Sequence, residues 1–184
     1  VQLILKKVKD GAAFRIIGDY DIDGVNATHI LVTGLRRIGA QADTVIPERL
    51  KDGYGLNENL IRDAKAAGID TIVTCDNGIA AAEEIAFARR EGMTVIVTDH
   101  HDIPYREAEG GVRTSVLPPA DVILNPKQEG CAYPFKKLCG AAVAWRLVDA
   151  LYRTKGIPEE ETLALAEFAA VATAGDIMDL QGEN

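Results

Sequence analysis

The stretch that most constrains this chain is Gly18-Asp19-Tyr20-Asp21-Ile22-Asp23-Gly24-Val25, which follows the apolar run Phe14-Arg15-Ile16-Ile17 without a spacer. Three carboxylates at alternate positions on an extended strand end place at least two side chains on one side of the backbone. Carboxylates that converge repel one another and raise their own pKa values unless a cation joins them. Oxygen ligands of this kind suit Mg²⁺ or Mn²⁺. An acidic turn left in water would need neither a strand ahead of it nor partners elsewhere in the chain.

Asp19, Asp21, Asp23 and Gly24 also match the opening of a calcium EF-hand loop. Counting on, the place of the bidentate Glu that closes such a loop is held by Ile30. An EF-hand loop is also entered from a helix, whereas this one is entered from a β-rich run. The calcium loop is excluded.

Partners for the acidic stretch lie at the ends of two other apolar runs. Thr71 to Cys75 leads straight into Asp76-Asn77-Gly78, and Thr94 to Thr98 leads into Asp99-His100-His101. Between these runs the apolar spacing is helical. Ala27, Leu31, Leu35 and Ile38 share one face of a helix expected to start at an Asn26 cap. Asn57 caps a second helix through Ala67, and Ala80 to Glu91 forms a third. With a further strand over Asp43 to Ile46, the order predicts right-handed βαβ units. The fold class is therefore α/β, a mostly parallel sheet with helices on both faces. Its acidic and imidazole side chains then share the carboxyl edge, where such folds place ligands.

The rest of the chain is read more coarsely. Val1 to Lys9 is a helix end, Tyr105 to Pro119 a surface loop, and Asp121 to Leu124 a short fifth strand. An Ala-rich helix runs from Gly140 to Tyr152, and one last helix, Glu159 to Ala174, delivers the chain to Gly175-Asp176.

At 184 residues, 47% apolar and 26% charged, the chain suits one domain, residues 1–184, with a sizeable core. Cys75, Cys131 and Cys139 are odd in number and form no Cys-x-x-Cys pair, which points to reduced thiols and a cytoplasmic location. No apolar run approaches the ~20 residues of a membrane span, so no membrane partner is expected. A net charge of −8 argues against binding nucleic acid through a broad basic patch, but permits a substrate phosphate held by metal ions. The chain opens at Val1 and ends without a recognisable stop, so the expectation is a fragment of a longer protein.

Adjacent histidines after a buried strand cannot both face the core, and imidazole beside carboxylates favours Mn²⁺ over Mg²⁺ for at least one site. His29 lies inside a helix beside Thr33 and Arg36 and is read as structural or exposed. Asp19, Asp21, Asp23, Asp76 and Asp176 together would bring a charge of −5 to one pocket. One divalent ion leaves −3 and two leave −1, which supports a pair of ions. Two ions about 3.5–4 Å apart are the standard arrangement for hydrolysing phosphate esters.

As a set, Asp19-Tyr20-Asp21-Ile22-Asp23-Gly24, Cys75-Asp76-Asn77-Gly78, Asp99-His100-His101 and Gly175-Asp176 resemble the four motifs of DHH-superfamily phosphoesterases. The segments Arg49-Leu50-Lys51-Asp52-Gly53-Tyr54-Gly55-Leu56, Asn125-Pro126-Lys127 and Tyr133-Pro134-Phe135-Lys136-Lys137-Leu138-Cys139-Gly140 look like the RecJ-like branch. The resemblance covers nearly all of the chain and implies a 5′→3′ exonuclease specific for single-stranded DNA, working in repair and recombination. It implies Mn²⁺ or Mg²⁺, as two ions, and in-line attack by a bridging hydroxide. Asp23, Asp76, His100 and Asp176 would hold one ion, and Asp19 and Asp21 the other, with Asp76 bridging. Asp99 would orient the neighbouring histidines, and His101 would contact the scissile phosphate or assist protonation. Arg49 is the candidate for a second phosphate contact, since a guanidinium fork suits phosphate.

Three departures stand out. The fourth motif continues Ile177-Met178-Asp179-Leu180, with Asp179 where a proline is usual. The connection around Gly110 to Ser115 is longer than the family's. The smaller C-terminal domain of such enzymes is absent from these residues. Other readings are an oligoribonuclease, a cyclic-dinucleotide phosphodiesterase or a pyrophosphatase of the same superfamily. A haloacid-dehalogenase-like phosphatase would use Asp21 and Asp23 but leave His100 and His101 without work. An isolated domain that binds metal without activity is the reading from outside enzymology.

Overall fold

A computed structural model describes residues 1–48, 53, 55–107, 111 and 113–184. Helix α1 (Gln2–Lys9) leads into strand β1 (Ala13–Ile17), helix α2 (Ile22–Arg37) and strand β2 (Gln41–Val45). Helix α3 (Glu58–Ala66), strand β3 (Thr71–Cys75), helix α4 (Ala82–Arg90) and strand β4 (Thr94–Thr98) follow. The second half holds β5 (Tyr105–Glu107), β6 (Arg113–Ser115), β7 (Val122–Leu124), α5 (Gly140–Lys155), α6 (Glu159–Leu163) and α7 (Ala166–Gly175).

Five strands form one sheet in the order β2-β1-β3-β4-β7, every pair parallel. The expected α/β sheet with two covered faces is what forms, and the alternation of apolar side chains explains why. Phe14, Ile16, Val73, Cys75 and Ile96 point to the face covered by α1, α2, α5 and α7, where Ile30, Leu31, Leu35, Val148 and Leu151 complete the core. Ile17, Ile72, Val95 and Val97 point to the opposite face and meet Leu60, Ile61 and Ala64 of α3 and Ile85 and Ala88 of α4. Strands buried on both faces need continuous apolar runs rather than alternation, as in Thr71–Cys75, all five residues of which are buried.

Strand order fixes where a ligand can sit. From β1 the chain moves outward to β2, then returns past β1 to β3, so the connections leaving β1 and β3 depart to opposite faces. The carboxyl ends of those two strands therefore border a crevice. Asp19 to Asp23 follow β1, and Asp76 follows β3.

Four expectations need correction. Helix α2 starts at Ile22 with Asp21 as its cap, and Asn26 lies inside the helix, its side chain donating to the Ile22 carbonyl. Asp21 outcompetes Asn26 because its carboxylate reaches the Gly24 N–H at 2.9 Å. Helix α4 is shorter than Ala80 to Glu91, beginning at Ala82. The stretch expected to be loop contains an antiparallel hairpin, β5 with β6, exposed along both strands. Its Arg113 lies over the Tyr105 ring at 4.4 Å and pairs with Glu107 at 3.0 Å, contacts that alternate-residue patterning does not reveal. Finally, the last helix is broken into α6 and α7 at Ala164 and Leu165, which lets Leu165 turn into the core.

Candidate metal centre

The acidic stretch converges by a route other than strand alternation. Asp19 is in the short segment after β1, Asp21 caps α2, and Asp23 lies in the first turn of α2. The chain turns so tightly that a Cβ on Gly24 would lie 2.5 Å from the Asp19 carbonyl oxygen. A residue without a side chain is required there, because the obstacle is backbone. Asp19 and Asp23 are buried, whereas Asp21 is exposed.

Asp76 follows β3 with φ of +59°, in the left-handed region. Asp tolerates that region better than most residues, and such strained positions gather at working sites. Next to it, the buried Asn77 donates to the carbonyls of Ile17 at 3.0 Å and Cys75 at 2.8 Å, tying the ends of β1 and β3 together. His100, after β4, is buried and directs Nε2 at three carboxylates. Its distances are 3.1 Å to Asp76, 3.6 Å to Asp23 and 3.7 Å to Asp176, which reaches in from the end of α7.

Ligand atoms thus gather into overlapping groups. Asp23, His100 and Asp176 form one, Asp19, Asp21 and Asp76 a second, and Asp76, His100 and His101 a third; within each, the atoms lie inside 4.8 Å. Asp76 belongs to two of the three. Asp179, exposed and bonded to Lys137, belongs to none of them, so Asp176 is the carboxylate that the fourth motif contributes.

Electrostatics agree with a site built for cations. Burial, reinforced by the charges of Asp23 and Asp21, pushes the Asp76 carboxyl up to about 10. Burial and Asp23 push Asp176 up as well. At neutral pH the Asp76 carboxyl in this state holds a proton that a divalent ion can displace. Oxygen ligands with one or two imidazole nitrogens are the donor set of Mn²⁺ or Mg²⁺, so the residues fit such ions.

Asp99 behaves differently from its acidic neighbours. Burial alone would push its carboxyl up. The His101 ring nitrogen at 2.8 Å and the backbone N–H groups of Ile79 at 2.9 Å and His101 at 3.1 Å outweigh that and hold it below the usual range. The His100 N–H adds a fourth contact at 2.7 Å. In return, the Asp99 carboxylate raises the pKa of His101. Asp99 thus engages Nδ1 of the half-exposed His101 ring.

Of the other residues singled out in the sequence, Arg49 lies outside the described residues, as do Leu50, Lys51, Asp52 and Tyr54 of its motif. His29 is exposed, its ring tilted 46° against that of Phe168 with centroids 4.3 Å apart, and it belongs to none of these groups. Two contributions escape a reading of the sequence. Asn77 stands there only as part of a motif. The other is the start of α5, where the N–H groups of Gly140 and Ala141 bond to the two oxygens of Asp23 at 2.5 and 2.7 Å. A glycine opening a helix, where propensity gives no reason for it, is the available signal.

The chain is similar to known proteins over most of its length. The family model described as DHH family, N-terminal domain, matches residues 13–174. The chain is 43% identical over 181 residues to the single-stranded-DNA-specific exonuclease RecJ of Bacillus subtilis (strain 168), covering 98% of the chain and 21% of that protein. It is 34% identical over 194 residues to RecJ of Escherichia coli (strain K12), covering 100% of the chain and 32% of that protein. A crystal structure of exonuclease RecJ bound to manganese superposes with a TM-score of 0.81 at 33% identity, over 98% of the chain and 43% of that structure. RecJ of Thermus thermophilus in complex with Mn²⁺ gives 0.77 at 30% identity, over 98% and 24%. The chain spans about a fifth to a third of the length of these curated relatives.

Proposed function

This chain belongs to the DHH family, and we propose that it is the catalytic domain of a metal-dependent phosphodiesterase that degrades single-stranded DNA from the 5′ end, in repair and recombination. The observation that carries the proposal is the pair of ligand groups, Asp23–His100–Asp176 and Asp19–Asp21–Asp76, packed together in the crevice beside β1 and β3. Asp76 of the second group has its Oδ1 3.1 Å from Nε2 of His100 in the first, which supports reading it as a ligand common to both ions. The matched relatives named for single-stranded DNA support that choice of substrate, and the manganese- and magnesium-bound relatives support Mn²⁺ or Mg²⁺.

Two divalent ions, when bound, supply a nucleophile at neutral pH and Lewis-acid stabilisation of the charge on phosphate. The chain's own residues do the rest. Asp23, Asp76, His100 and Asp176 would hold one ion, and Asp19, Asp21 and Asp76 the other. Asp99 fixes the ring orientation and tautomer of His101 through Nδ1. So oriented, His101 binds a non-bridging phosphate oxygen or, when protonated, gives its proton to the departing alkoxide oxygen, which leaves as a hydroxyl. Arg49 remains a proposed phosphate contact. The three free cysteines suit a reducing compartment, the cytoplasm.

Because the matched relatives are about three to five times as long as this chain, we assign substrate clamping and polarity to such additional parts of a full-length protein, so that the isolated chain binds ions but turns over slowly. The deciding assay incubates the full-length protein with Mn²⁺ and end-labelled single-stranded DNA, duplex DNA and short RNA. Mononucleotides released from the 5′ end of single-stranded DNA are expected. Preferential cleavage of RNA, or no cleavage in Mn²⁺, would overturn the assignment.

A further inference from the structure

The segment Lys137-Leu138-Cys139-Gly140 has no role in the chemistry above, yet it delivers the start of a sixteen-residue helix to the metal ligands. Cys139 caps α5, its sulfur 3.4 Å from the Ala142 N–H. The next two donors, Gly140 N–H and Ala141 N–H, have no partner within the helix, as is general for a first turn. Both are taken by Asp23, one on each carboxylate oxygen, at 2.5 and 2.7 Å. Asp23 is fully buried and comes from the first turn of α2, so α5 holds a residue 117 positions away in sequence.

The second fact concerns the other side of Gly140. A Cβ built there would lie 2.7 Å from both Cβ and Oδ1 of Asp76 and 2.9 Å from its Cγ. Asp76 is itself buried, at 1% exposure, and its backbone is held in the left-handed region, so it has little room to retreat. The N-terminus of α5 therefore touches a ligand from each of the two carboxylate groups: it binds Asp23 through backbone N–H, and it lets Asp76 close in by having no side chain. Each carboxylate oxygen has two lone-pair directions, so one N–H per oxygen leaves Asp23 free to take a cation as well. The positive end of the helix dipole also favours the converged negative charge.

We propose that Gly140 is a positioning residue of the metal centre, and that the first turn of α5 sets the separation of Asp23 and Asp76. The proposal rests on the metal reading given above. A methyl group at Gly140 moves Asp76 off its place while leaving every ligand in the chain.

The test compares wild type, Gly140→Ala and Ala142→Gly as the 184-residue chain, with Mn²⁺ binding measured by calorimetry and folding by circular dichroism. Ala142→Gly weakens the same helical turn without adding bulk near Asp76. Gly140→Ala should bind Mn²⁺ about 10–100-fold more weakly, the usual cost of disturbing groups that orient ligands, while Ala142→Gly keeps wild-type affinity. A folded Gly140→Ala that binds as tightly as wild type overturns the positioning role alone. A wild-type chain that binds no Mn²⁺ overturns the metal reading and this proposal with it. A measurement independent of that variant's folding is amide exchange by NMR in metal-free wild type. The Gly140 and Ala141 amides should exchange at least about tenfold more slowly than unbonded first-turn amides. Exchange at the unbonded rate overturns the proposed grip on Asp23.

Discussion

Replacing Asp99 with Asn tests whether this carboxylate organises the third motif. Its Oδ2 accepts from the Ile79 N–H at 2.9 Å, and its Oδ1 from the N–H groups of His100 at 2.7 Å and His101 at 3.1 Å and from the His101 ring at 2.8 Å. Asn retains one acceptor and turns the other into a donor. If the retained oxygen stays with the three histidine contacts, the new NH₂ faces the Ile79 N–H. A buried donor left unsatisfied costs about 1–3 kcal/mol, and three bonds demoted from charged to neutral lose of order 1 kcal/mol each before relaxation. The expected loss is about 3–5 kcal/mol. For a domain of this size that is a fall in Tm of about 6–20 °C.

The pH dependence follows from the direction of the shift. The Asp99 carboxyl is held below its ordinary 3.8, so its contribution is present above that value and is lost as pH falls through the native value. Urea denaturation in EDTA at several pH values between about 3 and 7 would show the variant's stability falling less steeply on the acid side than wild type. The ring pKa of His101, followed by NMR, should drop towards its ordinary value once the carboxylate is gone. A stability loss below about 1 kcal/mol, with the His101 titration unchanged, would refute the four-donor account.

Three further outcomes are expected. Asp76→Asn should raise the Tm of the metal-free chain at pH 8, since it removes a buried carboxyl pushed up to about 10, and should remove the Tm rise on adding Mn²⁺; a lower metal-free Tm would contradict it. By the same linkage, Asp76 supports metal-free wild type fully below 3.8 and progressively less as pH rises towards 10, so the Mn²⁺-induced Tm shift should grow with pH over that range. Ile177 is a β-branched residue at φ of +54° and 90% exposed, so Ile177→Gly should stabilise the fold by about 0.5–1 kcal/mol in urea denaturation, relief of strain outweighing the added chain entropy.

The sequence alone determined the sheet and its loaded edge. Apolar runs such as Thr71–Cys75 and Thr94–Thr98 are local signals, and their boundaries match the strands residue for residue. Asp19, Asp21, Asp23, Asp76 and His100 follow strands of a parallel sheet, whose βα turns all open on the same side, while Asp176, at the end of α7, is added by the family resemblance alone. Local competition was harder to read: Asp21 displaced Asn26 as the cap of α2, a choice between two good capping residues that only the packed turn resolves.

What only the tertiary structure decided is how the acidic stretch is kept in place. Strand alternation would have aimed its carboxylates together, but the observed convergence comes from a helix start and from contacts over 117 residues, where Gly140 and Ala141 take the charge of Asp23. Neither backbone N–H carries a residue signature, and an approach of 2.7 Å to Asp76 appears in sequence as nothing more than a glycine. Side-chain chemistry can be read from the order of residues. Backbone donors and the space left by a missing Cβ acquire meaning only when another part of the chain is packed against them.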